Sequence, residues 1–153
     1  MQNQKMNIEQ MYRTLAIMWF ALFSSQFLFL LVIFFVKPEL FKFDFSQPLL
    51  PGKFAIIVLV FLLVGIINIA ISFFLRKKYL DQAVADQNIH FVQTALITGC
   101  ALCESVSLFG LMLAFVADYQ YFFIWFILGI GAMIFHFPRR DNLIAASYKY
   151  MQK

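Results

Sequence analysis

Glu104 is the residue in this sequence best placed to do chemistry. It is the one charged side chain between Phe91 and Ala117, and thirteen residues stand on either side of it. If that stretch crosses a membrane as a helix, the carboxylate lies at mid-depth, where its ionised form costs at least a few kcal/mol. It is therefore expected to be protonated, to hold an ion, or to face a polar cavity. Reversible proton or ion binding is one expectation. The other is a neutral acid that hydrogen-bonds a polar side chain, with Gln26, Asn68 and Gln93 as partners, and only fixes helix packing.

Cys100 and Cys103 form a Cys-x-x-Cys pair. Thiols so spaced can carry disulfide exchange, and the pair resembles that of four-helix membrane thiol oxidoreductases. Those proteins hand electrons on through further cysteines, and this chain has two in all. Small apolar packing is the expected role of the pair. His90 and His136 could ligate a metal or a haem, but no carboxylate or cysteine cluster stands beside them in sequence. They are expected to be polar caps at span ends. No cofactor or metal is called for, and no enzyme motif is visible: there is no nucleophile–base pair, metalloprotease pattern or Gly-rich phosphate loop.

The elements that hold these groups are written in the composition. Of 153 residues, 63% are hydrophobic, 13% are charged and 21 are Phe. Soluble domains carry about 25% charged residues, so this chain needs lipid as part of its solvent. Four apolar runs stand out, at about 14–36, 54–75, 91–117 and 121–137. The fold class expected is an all-α integral membrane protein, an up-down antiparallel bundle of four helices forming one domain over 1–153. The first run exceeds a signal h-region and has no small-x-small cleavage site, so it is read as a retained span.

Basic residues fix an orientation. Lys5, Arg13, Arg76, Lys77, Lys78, Arg139, Arg140, Lys149 and Lys153 fall in the two tails and the middle connection, against Lys37, Lys42 and Lys53 elsewhere. The positive-inside rule then puts both termini in the cytoplasm, and a bacterial inner (plasma) membrane is the expected setting. The same pattern removes any need for a nucleic-acid partner. The connection 37–53 carries Phe41, Phe43, Phe45 and prolines at 38, 48 and 51, which suits a lid in the headgroup layer. The tails 1–13 and 138–153 are expected at the interface, the second as a short helix using Leu143, Ile144, Tyr148, Tyr150 and Met151. Trp19 and Trp125 lie too deep for the interface belt and are expected to fill bundle or lipid-facing volume. Gly129-Ile130-Gly131-Ala132 in span four suits a close crossing.

At about 100° per residue, Ala95, Gly99, Cys103, Gly110, Ala114 and Ala117 share one stripe of span three. Small residues so stacked admit a neighbouring helix closely, and self-association or assembly through this stripe is expected. Glu104 points roughly 80–140° away from it, on a face with Gln93, Ile97, Cys100, Leu111 and Phe115.

The stretch from Ala101 to Phe115, with Glu104-Ser105 followed by Leu108-Phe109-Gly110-Leu111, resembles the ion-binding helix of the rotary ATP synthase proteolipid, the c subunit. The basic Arg76-Lys77-Lys78 sits where that family has its polar loop. Spans one, two and four have no clear counterpart. The resemblance implies that Glu104 binds a proton or a sodium ion, with Ser105 at a hydroxyl position of sodium-binding members. Phe109 lacks the hydroxyl of a tyrosine, which favours the proton. The reading is a small multi-pass protein with a protonatable site at Glu104, in a homo-oligomer or larger membrane complex. Its rival is a non-transporting structural or assembly subunit.

Overall fold

A computed structural model describes residues 2–42, 46–50 and 52–147, with side chains described from Ile8 onward. The helices are α1 (Gln2–Val36), α2 (Ala55–Ala85), α3 (His90–Ala117), α4 (Phe123–Ile134) and α5 (Arg140–Ala146), with 3-10 turns at Pro38–Phe41 and Gln120–Phe122. No strand occurs among the described residues. Three helices are long and apolar enough to cross a membrane: Ile8–Val36 of α1, Ala55–Ala85 and His90–Ala117. In hydrocarbon only an intrasegment ladder satisfies the backbone, so apolar runs of this length become helices.

Helix ends are set by local chemistry. α1 stops at Pro38, which lacks the N–H to continue. α2 runs ten residues past the expected Leu75, because Arg76–Ala85 contains nothing that breaks a helix. The chain turns only at Gln87, whose φ of 49° is left-handed. There Asn88 N–H donates to Ala83 O and Gln87 N–H to Val84 O, a Schellman closure. The basic triplet Arg76-Lys77-Lys78 is thus helix and not loop. Likewise 2–13 is not a separate tail, being the first turns of α1. α4 has 12 residues and ends at Ile134, short of the expected Phe137.

α3 is the element that the others surround. Buried residues make up 39% of its most apolar stretch, against 11% for α1 and 17% for α2, whose outer faces carry Phe20, Leu28, Phe35, Ile56, Leu63 and Phe74 toward lipid. Contacts define the order. Phe61, Gly65, Asn68 and Ser72 of α2 meet Phe109, Val106, Ser105 and Cys103, so numbers rise on one helix as they fall on the other. On α1, Met18, Ser25, Gln26 and Lys37 meet Gln93, Glu104, Ser107 and Asp118, rising together. α4 lies along the small stripe. A Cβ at Gly110 would meet Phe122 O at 2.8 Å and Trp125 Cβ at 2.9 Å, and one at Gly99 would meet the His136 ring at 2.2 Å.

At the loop end, Lys37 pairs with Asp118 and donates to Phe115 O, while Tyr119 and Tyr121 donate to Leu49 O and Gln47 O. Phe41 packs against Phe34 and Phe122, and Leu40 is buried, so this stretch of the lid rests on the bundle. Phe43, Phe45 and Pro51 lie outside the described residues. At the basic end, α5 tucks Leu143 and Ala146 fully under the bundle with Leu15 and Ala83, which corrects the expectation of an interfacial Leu143. Ile144 is exposed, and 148–153 lies outside the described residues.

The two glycines of α4 differ in what surrounds them. A Cβ on Gly129 would fall 2.4 Å from Ser107 Oγ and 2.9 Å from Cys103 O, whereas one on Gly131 meets nothing within 4 Å. Gly129→Ala is expected to destabilise the bundle by about 1–3 kcal/mol, as overpacked cores do. Gly131→Ala is expected to be neutral or slightly stabilising. Unfolding of both variants in detergent micelles checks the contrast.

Candidate functional site around Glu104

The middle of α3 carries Glu104, Ser105 and Ser107, and a turn of about 100° per residue aims them at different neighbours. Ser105 faces α2, where Asn68 Nδ2 donates to its Oγ at 2.9 Å. Ser107 faces α1 and donates to Gln26 Oε1 at 2.5 Å, while Gln26 Nε2 reaches Met133 Sδ of α4 at 3.2 Å. Half-buried Glu104 faces α1 as well, with its Oε1 2.5 Å from Ser25 Oγ.

The serines share a habit. Ser105 and Ser72 each donate their one hydroxyl hydrogen to the carbonyl three residues back, Leu102 O and Ile69 O, and keep their lone pairs for a neighbour. Asn68 donates to the first and the Cys103 thiol to the second, the latter at 3.7 Å. Ser25 stands in the same relation to Leu22 O, 2.7 Å away. A carbonyl can only accept. When Ser25 donates to Leu22 O, its bond to Glu104 therefore requires the carboxyl to carry a proton and donate; when Glu104 is ionised, the Ser25 hydrogen swings to it. Both states of the acid are hydrogen-bonded without movement of a heavy atom.

None of the three expected partners reaches Glu104. Gln26 is turned to Ser107 and Met133, Asn68 to Ser105, and Gln93 lies near Met18 Sδ at 3.8 Å. Ser25 makes the bond because it sits one residue, and hence 100°, before Gln26. Ser105 does not share a cage with Glu104, since the two face α2 and α1. Among the described residues the oxygen hydrogen-bonded to the carboxylate is Ser25 Oγ, far fewer than the cage a hard cation assembles. Among the described residues no group of three His, Cys, Asp or Glu side chains could hold a metal.

The small stripe of Ala95, Gly99, Cys103, Gly110 and Ala114 is buried, and α4 of the same chain occupies it. That corrects the expectation of assembly through this seam, because its surface is already used. Cys100 and Cys103 are free thiols with no exposed surface. His90 opens α3 at the surface, its N–H accepted by Asn88 Oδ1. His136 departs from the expected interfacial cap. It is fully buried against Gly99 and Phe73, with Nδ1 3.0 Å from Ala132 O and 4.0 Å from Cys103 Sγ. The missing Cβ of Gly99 is what admits the ring. Trp125 is buried, while Trp19 donates to Met133 O at 3.0 Å. Sequence reading passed over Ser25 and Ser72, and read the buried His136 as an interfacial cap. The spacing of Asn68, Ser72 and Arg76, each four residues apart on an otherwise apolar helix, was the signal for the second.

Ser25→Ala is expected to cost about 0.5–1.5 kcal/mol through loss of the bond to Glu104. A double-mutant cycle with Glu104→Ala, read by unfolding in micelles, should show that cost vanish once the acid is gone. Comparison of the chain with protein-family models, with curated protein sequences and with solved structures finds no match.

Proposed function

We propose that this chain is a four-span, up-down antiparallel membrane protein with both termini in the cytoplasm, in which Glu104 takes up and releases a proton. The observation that carries the proposal is the position of Ser25 Oγ between Leu22 O and Glu104 Oε1, where one hydroxyl serves the acid as acceptor or as donor. A purely structural bond needs one arrangement; this site accommodates two. Titration of Glu104 reverses the direction of the α1–α3 bond while both states stay hydrogen-bonded. Coupling of that reversal to the movement of a helix or a partner is the mechanism we favour. The likeness of Ala101–Phe115 to the proteolipid ion-binding helix supports the same chemistry. The small oxygen set favours a proton over sodium.

With the α3 stripe covered by α4, a second copy or a partner subunit would meet the outer faces of α1 and α2, where Phe20, Phe35, Ile56 and Phe74 are exposed. The role is that of a binding or transport component and not an enzyme. The burial of both thiols supports that choice over disulfide exchange.

A structural or assembly subunit is the second reading, favoured by the fact that Ser25–Glu104 ties α1 to the centre of the bundle. Glu104→Gln separates the two. A glutamine amide can donate to Ser25 but has no proton to release, so the variant is expected to fold with stability within about 1 kcal/mol of the parent. In proteoliposomes it should lose proton flux and labelling by a hydrophobic carbodiimide. Full proton flux in Glu104→Gln would sink the proposal and leave the structural reading standing.

A further inference from the structure

α1, α2 and α4 enclose α3 except along one arc. Ile97, Ala101, Leu108, Met112 and Val116 are exposed, and at 3.6 residues per turn they share an arc of about 100° between the α1 side and the α2 side. Glu104 lies at the α1 border of this arc and Ser105 at the α2 border, each bonded to the helix it adjoins. Ala101 and Leu108 run midway between them. Leu28 and Val32 beside Ser25 on α1, and Ile71 beside Asn68 on α2, are exposed too, so the flank continues onto both neighbours.

The centre of this flank is polar and incompletely bonded. Glu104 Oε1 meets Ser25 Oγ, but Oε2 makes no hydrogen bond among the described residues. Asn68 spends one amide N–H on Ser105, which leaves its second N–H and its Oδ1 free. Both side chains are half-buried, and the free oxygens reach the surface. They do so at the middle of α3, where lipid tails offer neither donor nor acceptor and another protein surface does.

A second copy fits this surface in one particular way. With the basic ends on one side of the membrane, copies stand parallel, and a closed pair is related by a two-fold axis along the membrane normal. Rotation about an axis beside the Ala101–Leu108 row keeps every residue at its depth and exchanges the α1 border for the α2 border. Glu104 of each copy then stands opposite Asn68 of the other, an acceptor facing a donor, twice. The single-carbon side chain of Ala101 lets the two α3 helices approach one turn away from the acid.

We infer that the chain forms a parallel two-fold dimer through the exposed arc of α3, in which Glu104 Oε2 of each copy accepts a hydrogen bond from the Asn68 amide of the other. The bond needs only an acceptor oxygen. An ionised Glu104 offers one at Oε2, and so does a neutral acid that donates to Ser25 through Oε1. The dimer supplies the partner for the coupling proposed above; it rests on the membrane orientation of that reading and not on the release of a proton.

The first test uses the parent chain in proteoliposomes. Energy transfer between differently labelled copies, followed as lipid is added, is expected to trace the dilution curve of a dimer. Transfer no greater than that of a random mixture at every density assigns the flank to lipid or to a different protein, and overturns the inference. Oxidative cross-linking then identifies the face. Leu108→Cys is expected to form disulfide dimers, and Leu63→Cys, at a similar depth on the outer face of α2, to form few. The parent thiols have no exposed surface and serve as the background. Cross-linking at Leu63 that equals or exceeds that at Leu108 overturns the choice of face. Asn68→Leu should raise the dissociation constant about tenfold, as the loss of two interhelical hydrogen bonds does; an unchanged constant in the folded variant overturns the Glu104–Asn68 pairing. Glu104→Gln keeps an acceptor oxygen and is expected to dimerise like the parent while losing proton flux, so the pairing and the proton reading fail separately. Loss of the dimer in folded Glu104→Gln counts against the pairing alone.

Discussion

Hydrocarbon offers a polar side chain nothing to bond to, and α3 carries three such groups, Glu104, Ser105 and Ser107, at its centre. The placement of the other helices answers that constraint. α2 supplies Asn68, while α1 supplies Ser25 and Gln26 as consecutive residues aimed at different targets. α4 supplies the flexible thioether of Met133 to finish the Gln26 amide. Asn68 lies on one neighbour and the Ser25–Gln26 pair on another because successive residues of α3 point about 100° apart. A helix with its polar residues on one stripe would have needed a single partner.

Close approach is the second condition. Gly99, Gly110 and Gly129 lie where a Cβ would strike backbone, a serine hydroxyl or the His136 ring. These contacts bring the α4 backbone down onto the Gln26–Ser107 pair and let a full imidazole sink into the bundle. Arg76 completes the arrangement, since its guanidinium donates to the carbonyls of Phe135 and Phe137 just past the end of α4. A charge within one helix thus satisfies carbonyls at the end of another.

The spans, the small stripe and the isolation of Glu104 were legible because hydropathy and helical spacing are properties of sequence alone. The partner of Glu104 was not. Ser24-Ser25-Gln26 puts three polar side chains in a row, and which one meets the acid depends on the rotation of α1 about its own axis, a quantity fixed by packing. The fate of His136 was hidden for a similar reason. A histidine beside Phe137-Pro138-Arg139 has the surroundings of an interface residue, and only its position opposite Gly99 buries it. The end of α2 was misjudged because charge marks where hydrocarbon stops, not where a helix stops: Arg76–Ala85 leaves the apolar stretch and stays helical until Gln87 turns.

α4 has 12 residues, a length of about 18 Å at 1.5 Å per residue, beside helices of 31 and 28 residues. Such a helix falls well short of the ~30 Å hydrocarbon thickness, so its hydrophobic mismatch belongs to one side of the protein only. Lipid headgroups must dip toward α4 while they stand at full height around α1 and α2. The surrounding leaflet is thereby given a lopsided contour, lowest beside the α4 flank. Each ångström of that depression costs a fraction of a kcal/mol.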